Sequence, residues 1–166
     1  MFELNATPEG KQLAASFIDT SALAKLYHAE AGTQFMEELL LRTDAVAFIS
    51  RLGILEMHSV LAGKVRTRQS DSVDESTVRK RFRGDIRKRR FQVVRVSVGH
   101  FQRVERLIET YGGSMGLRTL DALQLSMALD LNADHLIDTV VAADRILCDV
   151  AKREGMVVID PENAML

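Results

Sequence analysis

The sequence predicts an α/β fold: a central parallel sheet of about five strands, flanked by helices on both faces. Three observations carry this prediction. Short β-branched and aromatic runs alternate with longer stretches whose apolar residues recur at three- and four-residue steps. Several of the short runs are followed at once by an acidic or hydroxyl residue suited to open a helix, as at Asp19, Ser50, Ser97 and Asp144. The chain has only 2 prolines and no tryptophan, which points to a helix-rich composition.

Residues 1–15 show no sustained period and are interrupted by Pro8 and Gly10. They read as a flexible N-terminal tail ahead of one domain over residues 16–166. Ser16, Phe17 and Ile18 form an apolar strand that stops at Asp19. Thr20 and Ser21 offer hydroxyls to the open amides of a helix beginning at Ala22. After a break at Gly32, residues 33–42 bring Phe35, Leu39 and Leu40 to one helical face. Residues 45–50 read as a second buried strand. Ser50 caps a helix over 51–65 with Leu52, Leu55, Val60 and Leu61 at its apolar positions and Glu56 among them. Residues 67–76 are polar, and Asp74 or Ser76 is placed to cap a helix running through 79–90, anchored inward by Phe82 and Ile86.

Residues 91–97 have strand composition. Ser97 caps the next helix, which Gly112 and Gly113 end just after Tyr111. The clearest period lies in 117–131, where Leu120, Leu123, Met127 and Leu131 form a core stripe and Asp121 sits in the first turn. Residues 136–142 form a strand, and Asp144 opens a helix holding Ile146, Leu147 and Val150. Gly155 ends that helix, and 156–159 form the last strand.

At 166 residues the chain is long enough to bury about two-thirds of its unfolded surface in one core. No apolar run approaches the roughly 20 residues that span a bilayer, and no basic patch with an apolar core marks a secretory leader. The single cysteine, Cys148, excludes an internal disulfide and suits a reducing compartment, so a cytoplasmic location is the expectation. On the apolar side of its helix, Cys148 reads as a buried thiol. The net charge of −1 conceals a segregation: residues 64–95 carry 12 Lys and Arg against 4 Asp and Glu, while the remainder is acidic. Within that arm, Arg79, Lys80, Arg81, Arg83, Arg87, Lys88, Arg89 and Arg90 can bind an RNA backbone, dock an acidic partner peptide, or form a solvated helix face.

Four acids stand at comparable places: Asp19 after the first strand, Glu56 on an apolar helical face, Asp121 in a first turn and Asp144 after a later strand. A helix cap explains Asp19 on its own, and helix N-termini tolerate Asp121 and Asp144. Glu56, between Leu55 and Met57, lies toward the buried side, where an unpaired carboxylate is costly. Converging acids repel unless a hard divalent cation lies between them. An all-oxygen set without a His or Cys cluster selects Mg²⁺ or Mn²⁺ over zinc. His58 is two residues from Glu56 and faces elsewhere on the helix.

Three blocks, Phe-Ile-Asp-Thr-Ser-Ala-Leu-Ala-Lys-Leu-Tyr at 17–27, Leu-Arg-Thr-Leu-Asp-Ala-Leu-Gln-Leu at 117–125 and Ala-Ala-Asp-Arg-Ile-Leu at 142–147, resemble the best-known motifs of the PIN domain. They are most similar to those of the VapC-like ribonuclease toxins of type II toxin–antitoxin pairs. The resemblance spans roughly residues 16 to 160 and keeps the family's order. It implies a PIN-like nuclease domain in which Asp19, Glu56, Asp121 and Asp144 bind Mg²⁺ (or Mn²⁺) and catalyse hydrolysis of RNA phosphodiester bonds. Thr20 and Ser21 would contact a metal-bound water or a phosphate oxygen. The implied partners are an RNA substrate, a cognate antitoxin protein and a second copy of the chain.

The chain departs from the family pattern at three places. Ala142 stands where a hydroxyl is usual, Gln124 where a His is usual, and an extra acid, Asp138, precedes Asp144, which is the preferred fourth ligand. The Ala142 substitution keeps open an alternative, a catalytically weak PIN-like module that binds RNA or a partner. A Mg²⁺-dependent phosphoacceptor signalling domain would need adjacent acids after the first strand and a Lys ending the last, and neither is present. Leu26 and Tyr27 suit a partner surface or the core equally well.

Overall fold

The computed structural model describes residues 15–42, 45–67 and 72–164. The expected N-terminal tail lies outside these residues except for Ala15, which is already the first residue of β1. Strands β1 (Ala15–Ile18), β2 (Val46–Ser50), β3 (Gln92–Val94), β4 (Thr139–Val141) and β5 (Val157–Ile159) pair in the order β3-β2-β1-β4-β5. All four pairings are parallel: Phe17 aligns with Phe48 and Val140, Ile49 with Val93, and Val141 with Ile159. The helices are α1 (Thr20–Leu23), α2 (Thr33–Leu41), α3 (Arg51–Arg66), α4 (Ser72–Arg87), α5 (Val98–Met115), α6 (Thr119–Ala133) and α7 (Arg145–Arg153). A 3-10 turn over Ala24–Leu26 follows α1.

Alternation along the strands divides the core into two layers. Phe17 and Val140 point to one face, where they pack with Leu107, Leu125, Met127 and Leu147 from α5, α6 and α7. Ile18 and Val141 point to the other, against Leu23, Met36, Met57, Leu61 and Phe82 from α1 to α4. The sheet is therefore covered on both faces, as its near-continuous apolar strands require. Leu26 and Tyr27 belong to this second layer and are buried, so they form no partner surface. Among the described residues, no helix is long and apolar enough to cross a membrane.

Several boundaries differ from the sequence expectation. The first helix begins at Thr20, with Asp19 as its cap, because the Asp19 carboxylate accepts the Ser21 amide. Asp74 and Ser76 lie inside α4. The basic helix stops at Arg87, and Arg89 takes a left-handed φ of 56°. Strand β3 covers three residues, and 95–97 are irregular. Helix α5 runs through Gly112 and Gly113 to Met115 and ends at Gly116, whose φ of 76° only glycine adopts without strain. Two expected core leucines face solvent: Leu55 is 60% exposed and Leu120 48%.

Candidate metal-binding cleft

Strand order reverses on either side of β1. In an open parallel sheet, the carboxyl edge at such a point forms a crevice. Asp19 follows β1 directly, and Asp144 stands three residues beyond β4, the neighbouring strand. Helix α3 adds Glu56 and the first turn of α6 adds Asp121. All four acids line one cleft of about 350 Å³, together with Thr20, Ser21, Glu30, Lys64 and Arg118. Asp138, by contrast, bonds through its amide to the Ala15 carbonyl at the start of β1, so it belongs to the opposite edge of the sheet.

Asp19 and Asp121 are held by near neighbours in sequence, Glu56 by distant residues and Asp144 by both. Asp19 Oδ2 accepts the Ser21 amide (2.9 Å) and the Ser21 hydroxyl (2.6 Å). Glu56 Oε2 accepts the Thr20 hydroxyl (2.7 Å) and the Gln124 amide (2.5 Å). Asp121 Oδ2 accepts Arg118 Nε (2.9 Å). Asp144 divides its oxygens: Oδ1 caps α7 at the Leu147 amide (2.9 Å), and Oδ2 faces Arg118 Nη2 (3.4 Å). For Asp19 and Asp144, capping and lining the cleft are therefore compatible.

The hydroxyls of Thr20 and Ser21 are both engaged within the cleft. A hydroxyl has one proton to donate. Thr20 directs its proton to Glu56 and Ser21 directs its own to Asp19, so neither is left to donate to a phosphate oxygen. Ser21 Oγ also accepts the Ala143 amide (2.9 Å) and the Asp144 amide (3.3 Å), tying the loop that carries the fourth acid to the first. That tie holds the loop where Ala142 provides no hydroxyl of its own.

Burial raises the Asp19 carboxyl to about 6, helped by the nearby Glu56 charge and opposed by the Ser21 hydrogen bonds. Burial also raises Asp121, with Arg118 acting against the shift. The four acids do not converge as tightly as the sequence suggested. Among the described residues, no three carboxylate, imidazole or thiol groups are close enough together to hold a metal ion as they stand. Arg118 lies between Asp121 and Asp144, while Thr20 and Gln124 draw on Glu56.

The donor chemistry nonetheless fits a hard divalent cation. The acidic ligands are all oxygen, and Glu56 Oε1 and Asp121 Oδ1 have no hydrogen bond among the described residues. Asp19 is buried and makes no ion pair among the described residues.

Three residues that sequence reasoning did not assign to the site shape it. Gln124 is buried, donates to Glu56 and Thr20, and its own Oε1 has no hydrogen bond among the described residues. Gly53 packs so closely beneath them that a Cβ there would lie 3.2 Å from Thr20 Oγ1 and 3.3 Å from Gln124 Nε2. Arg118 is the third, and its place three residues before Asp121 was the available signal.

The structure divides the basic arm. Arg79 pairs with Glu75 and donates to His58 Nδ1 (2.6 Å), which turns His58 away from the cleft. Arg81 lies 5.4 Å above the Tyr27 ring, and Arg90 pairs with Asp85, which also accepts the Tyr27 hydroxyl (2.7 Å). Lys80, Arg83 and Arg87, with Arg51, border a separate groove of about 400 Å³ floored by Ile54, Phe82 and Ile86. Lys88 and Arg89 lie in the exposed turn beyond α4. Cys148 is buried, as expected, and donates to the Ala142 carbonyl.

Fold and site together define an α/β protein with an acid-lined cleft at the carboxyl edge of a parallel sheet. Residues 16–153 match the PIN domain, and the chain belongs to that family. No curated protein sequence matches it. Solved structures sharing the fold include FitAcB from Neisseria gonorrhoeae, at 13% identity and a TM-score of 0.64, covering 90% of this chain and 99% of that one. VapBC2 from Rickettsia felis, bound to a DNA fragment from its promoter, matches at 17% and 0.57, covering 87% and 97%. VapC20 from Mycobacterium tuberculosis, a sarcin-ricin loop cleaving toxin, matches at 18% and 0.57, covering 86% and 96%. At these identities the likeness is one of fold.

Proposed function

We propose that the protein is a divalent-metal-dependent endoribonuclease that hydrolyses RNA phosphodiester bonds, and that it is the toxin of a toxin–antitoxin pair. The observation that carries this reading is the meeting of Asp19, Glu56, Asp121 and Asp144, from four separate elements, in one cleft at the switch point of the sheet. Membership of the PIN domain family and the shared fold with VapC20 support it.

In this reading the four carboxylates hold Mg²⁺ or Mn²⁺. Such a cation acidifies a water nucleophile and offsets the charge that grows on the phosphate. The chain's other residues orient the acids: Ser21 fixes Asp19 and the Asp144 loop, and Thr20 and Gln124 fix Glu56. Thr20 and Ser21 position the acids in this reading, because the nucleophile is the water that the cation acidifies. Lys80, Arg83, Arg87, Lys88 and Arg89 supply phosphate contacts for the RNA. A cognate antitoxin and a second copy of the chain are the proposed protein partners, and the cytoplasm is the proposed compartment.

Cleavage of a mixed RNA pool with Mg²⁺, with excess EDTA and by Asp121→Asn tests this reading. Activity should require the cation, and the variant should lose at least about 100-fold, equivalent to about 2.7 kcal/mol of barrier. Full activity in EDTA would end the reading. RNA binding with no cleavage under any cation would favour the catalytically weak module.

A further inference from the structure

We propose that Arg118 is a built-in counter-ion that holds the place of a divalent cation at Asp121 and Asp144 and, once displaced, turns to the RNA phosphate. The inference rests on the reading of the cleft as a cation site. Two cationic side chains line the cleft among the described residues, and they behave differently. Lys64 is directed to Glu30, 3.9 Å away. Arg118 bridges two of the acids, with Nε 2.9 Å from Asp121 Oδ2 and Nη2 3.4 Å from Asp144 Oδ2.

The backbone and side chain of Arg118 differ in freedom. Its carbonyl accepts the Ala122 amide (2.9 Å) and so starts α6, fixing the anchor at the cleft mouth. Its side chain is 70% exposed, and its hydrogen bonds among the described residues go only to these two acids. A guanidinium held by two partly exposed ion pairs is weakly bound and free to swing. A divalent cation taking Asp121 and Asp144 competes with the guanidinium for the same two carboxylates, whose negative charge cannot serve both at full strength. The displaced guanidinium stays tethered beside the acids. Its planar fork suits two oxygens of one phosphate, where a lysine would offer a point charge. The exchange makes arrival of the cation and readiness for substrate a single event.

The test compares the whole protein with Arg118→Gln, Arg118→Lys and Lys64→Gln. Mn²⁺ affinity is measured by calorimetry, and affinity for a short single-stranded RNA is measured with Ca²⁺ present. Arg118→Gln should bind Mn²⁺ about two- to fivefold more tightly, the range expected for removing an exposed ion-pair competitor, yet bind the RNA more weakly. Arg118→Lys should fall between it and wild type. Lys64→Gln should leave Mn²⁺ affinity nearer the wild-type value.

Unchanged or weaker Mn²⁺ binding by Arg118→Gln overturns the inference, as does an equal gain in Lys64→Gln, which would show diffuse electrostatics. Unchanged RNA affinity overturns the second position. If neither wild type nor Arg118→Gln takes up Mn²⁺, the cation reading of the cleft fails and carries the inference with it. If wild type binds Mn²⁺ and Arg118→Gln binds it no better, the inference alone fails.

Discussion

Gln124 Nε2 and Glu56 Oε2 lie 2.5 Å apart, joining α6 to α3 across 68 residues of chain. The bond aims a half-buried carboxylate into the cleft from a helix whose neighbouring Leu55 faces solvent. Gln124→Met keeps the volume and removes the donor. Because Gln124 Oε1 is buried with no hydrogen bond among the described residues, its loss relieves a desolvation cost that offsets the lost bond. Cleavage should fall about tenfold or more, while the melting temperature stays within about 3 °C of wild type. A large fall in melting temperature with unchanged cleavage would make Gln124 a packing residue only.

Two glycines of α3 provide a matched pair. A Cβ at Gly53 would press on Ser50 Oγ, Thr20 Oγ1 and Gln124 Nε2 at 3.2 to 3.3 Å, whereas a Cβ at Gly63 meets nothing within 4 Å. Gly63→Ala should stabilise by up to about 1 kcal/mol through helix propensity and leave cleavage alone. Gly53→Ala should lose that gain to crowding and lower cleavage several-fold by disturbing the Thr20–Gln124–Glu56 contacts. Melting curves and initial rates on both variants check the contrast.

Asp19 sets a pH dependence. Its folded value of about 6 lies above the unfolded value near 4. Between those values the native state holds more protons than the unfolded one, so stability falls as pH rises through the window and stays lower above it. At 1.36 kcal/mol per unit the term reaches roughly 3 kcal/mol by pH 7. In EDTA, wild type should therefore gain melting temperature from pH 7 to pH 5, and Asp19→Asn should lack most of that gain. Parallel pH profiles for the two proteins would remove Asp19 as the source.

Arg83, Arg87 and Lys88 have no ion pair among the described residues, unlike Arg79 and Arg90. Replacing all three by Gln should weaken RNA binding and flatten its salt slope by roughly 0.7 per lost phosphate contact. An unchanged slope, measured by fluorescence anisotropy across a salt series, would leave this face to solvent or to a protein partner.

The architecture was legible because local signals agreed with the global fold. Phe17 and Ile18 ahead of Asp19, and Val140 and Val141 shortly before Asp144, mark both strand ends that frame the crevice. What escaped depends on contacts between distant residues. The Thr20 hydroxyl looked free for a ligand because its acceptor, Glu56, is 36 residues away. Gly112 and Gly113 read as a helix end, yet α5 continues through them and stops at Gly116. Leu120 fitted a core stripe by spacing but sits exposed in the first turn of α6. Arg118 carried a charge pattern that only the position of Asp144 makes meaningful.

Everything proposed for the cleft depends on its being a divalent-cation site in which Asp19 takes part. The most direct measurement is the melting temperature of wild type and Asp19→Asn at pH 7, in EDTA and then with saturating Mg²⁺ or Mn²⁺. Asn caps a helix as well as Asp does, so the substitution preserves the start of α1. Asp19→Asn should melt several degrees higher than wild type in EDTA, because a buried charge is gone. The cation should then raise wild type by more than the variant, because the folded site binds it and the unfolded chain does not. Asp19→Asn melting several degrees lower in EDTA, with equal cation shifts in both proteins, would leave Asp19 as a helix cap with no part in a cation site.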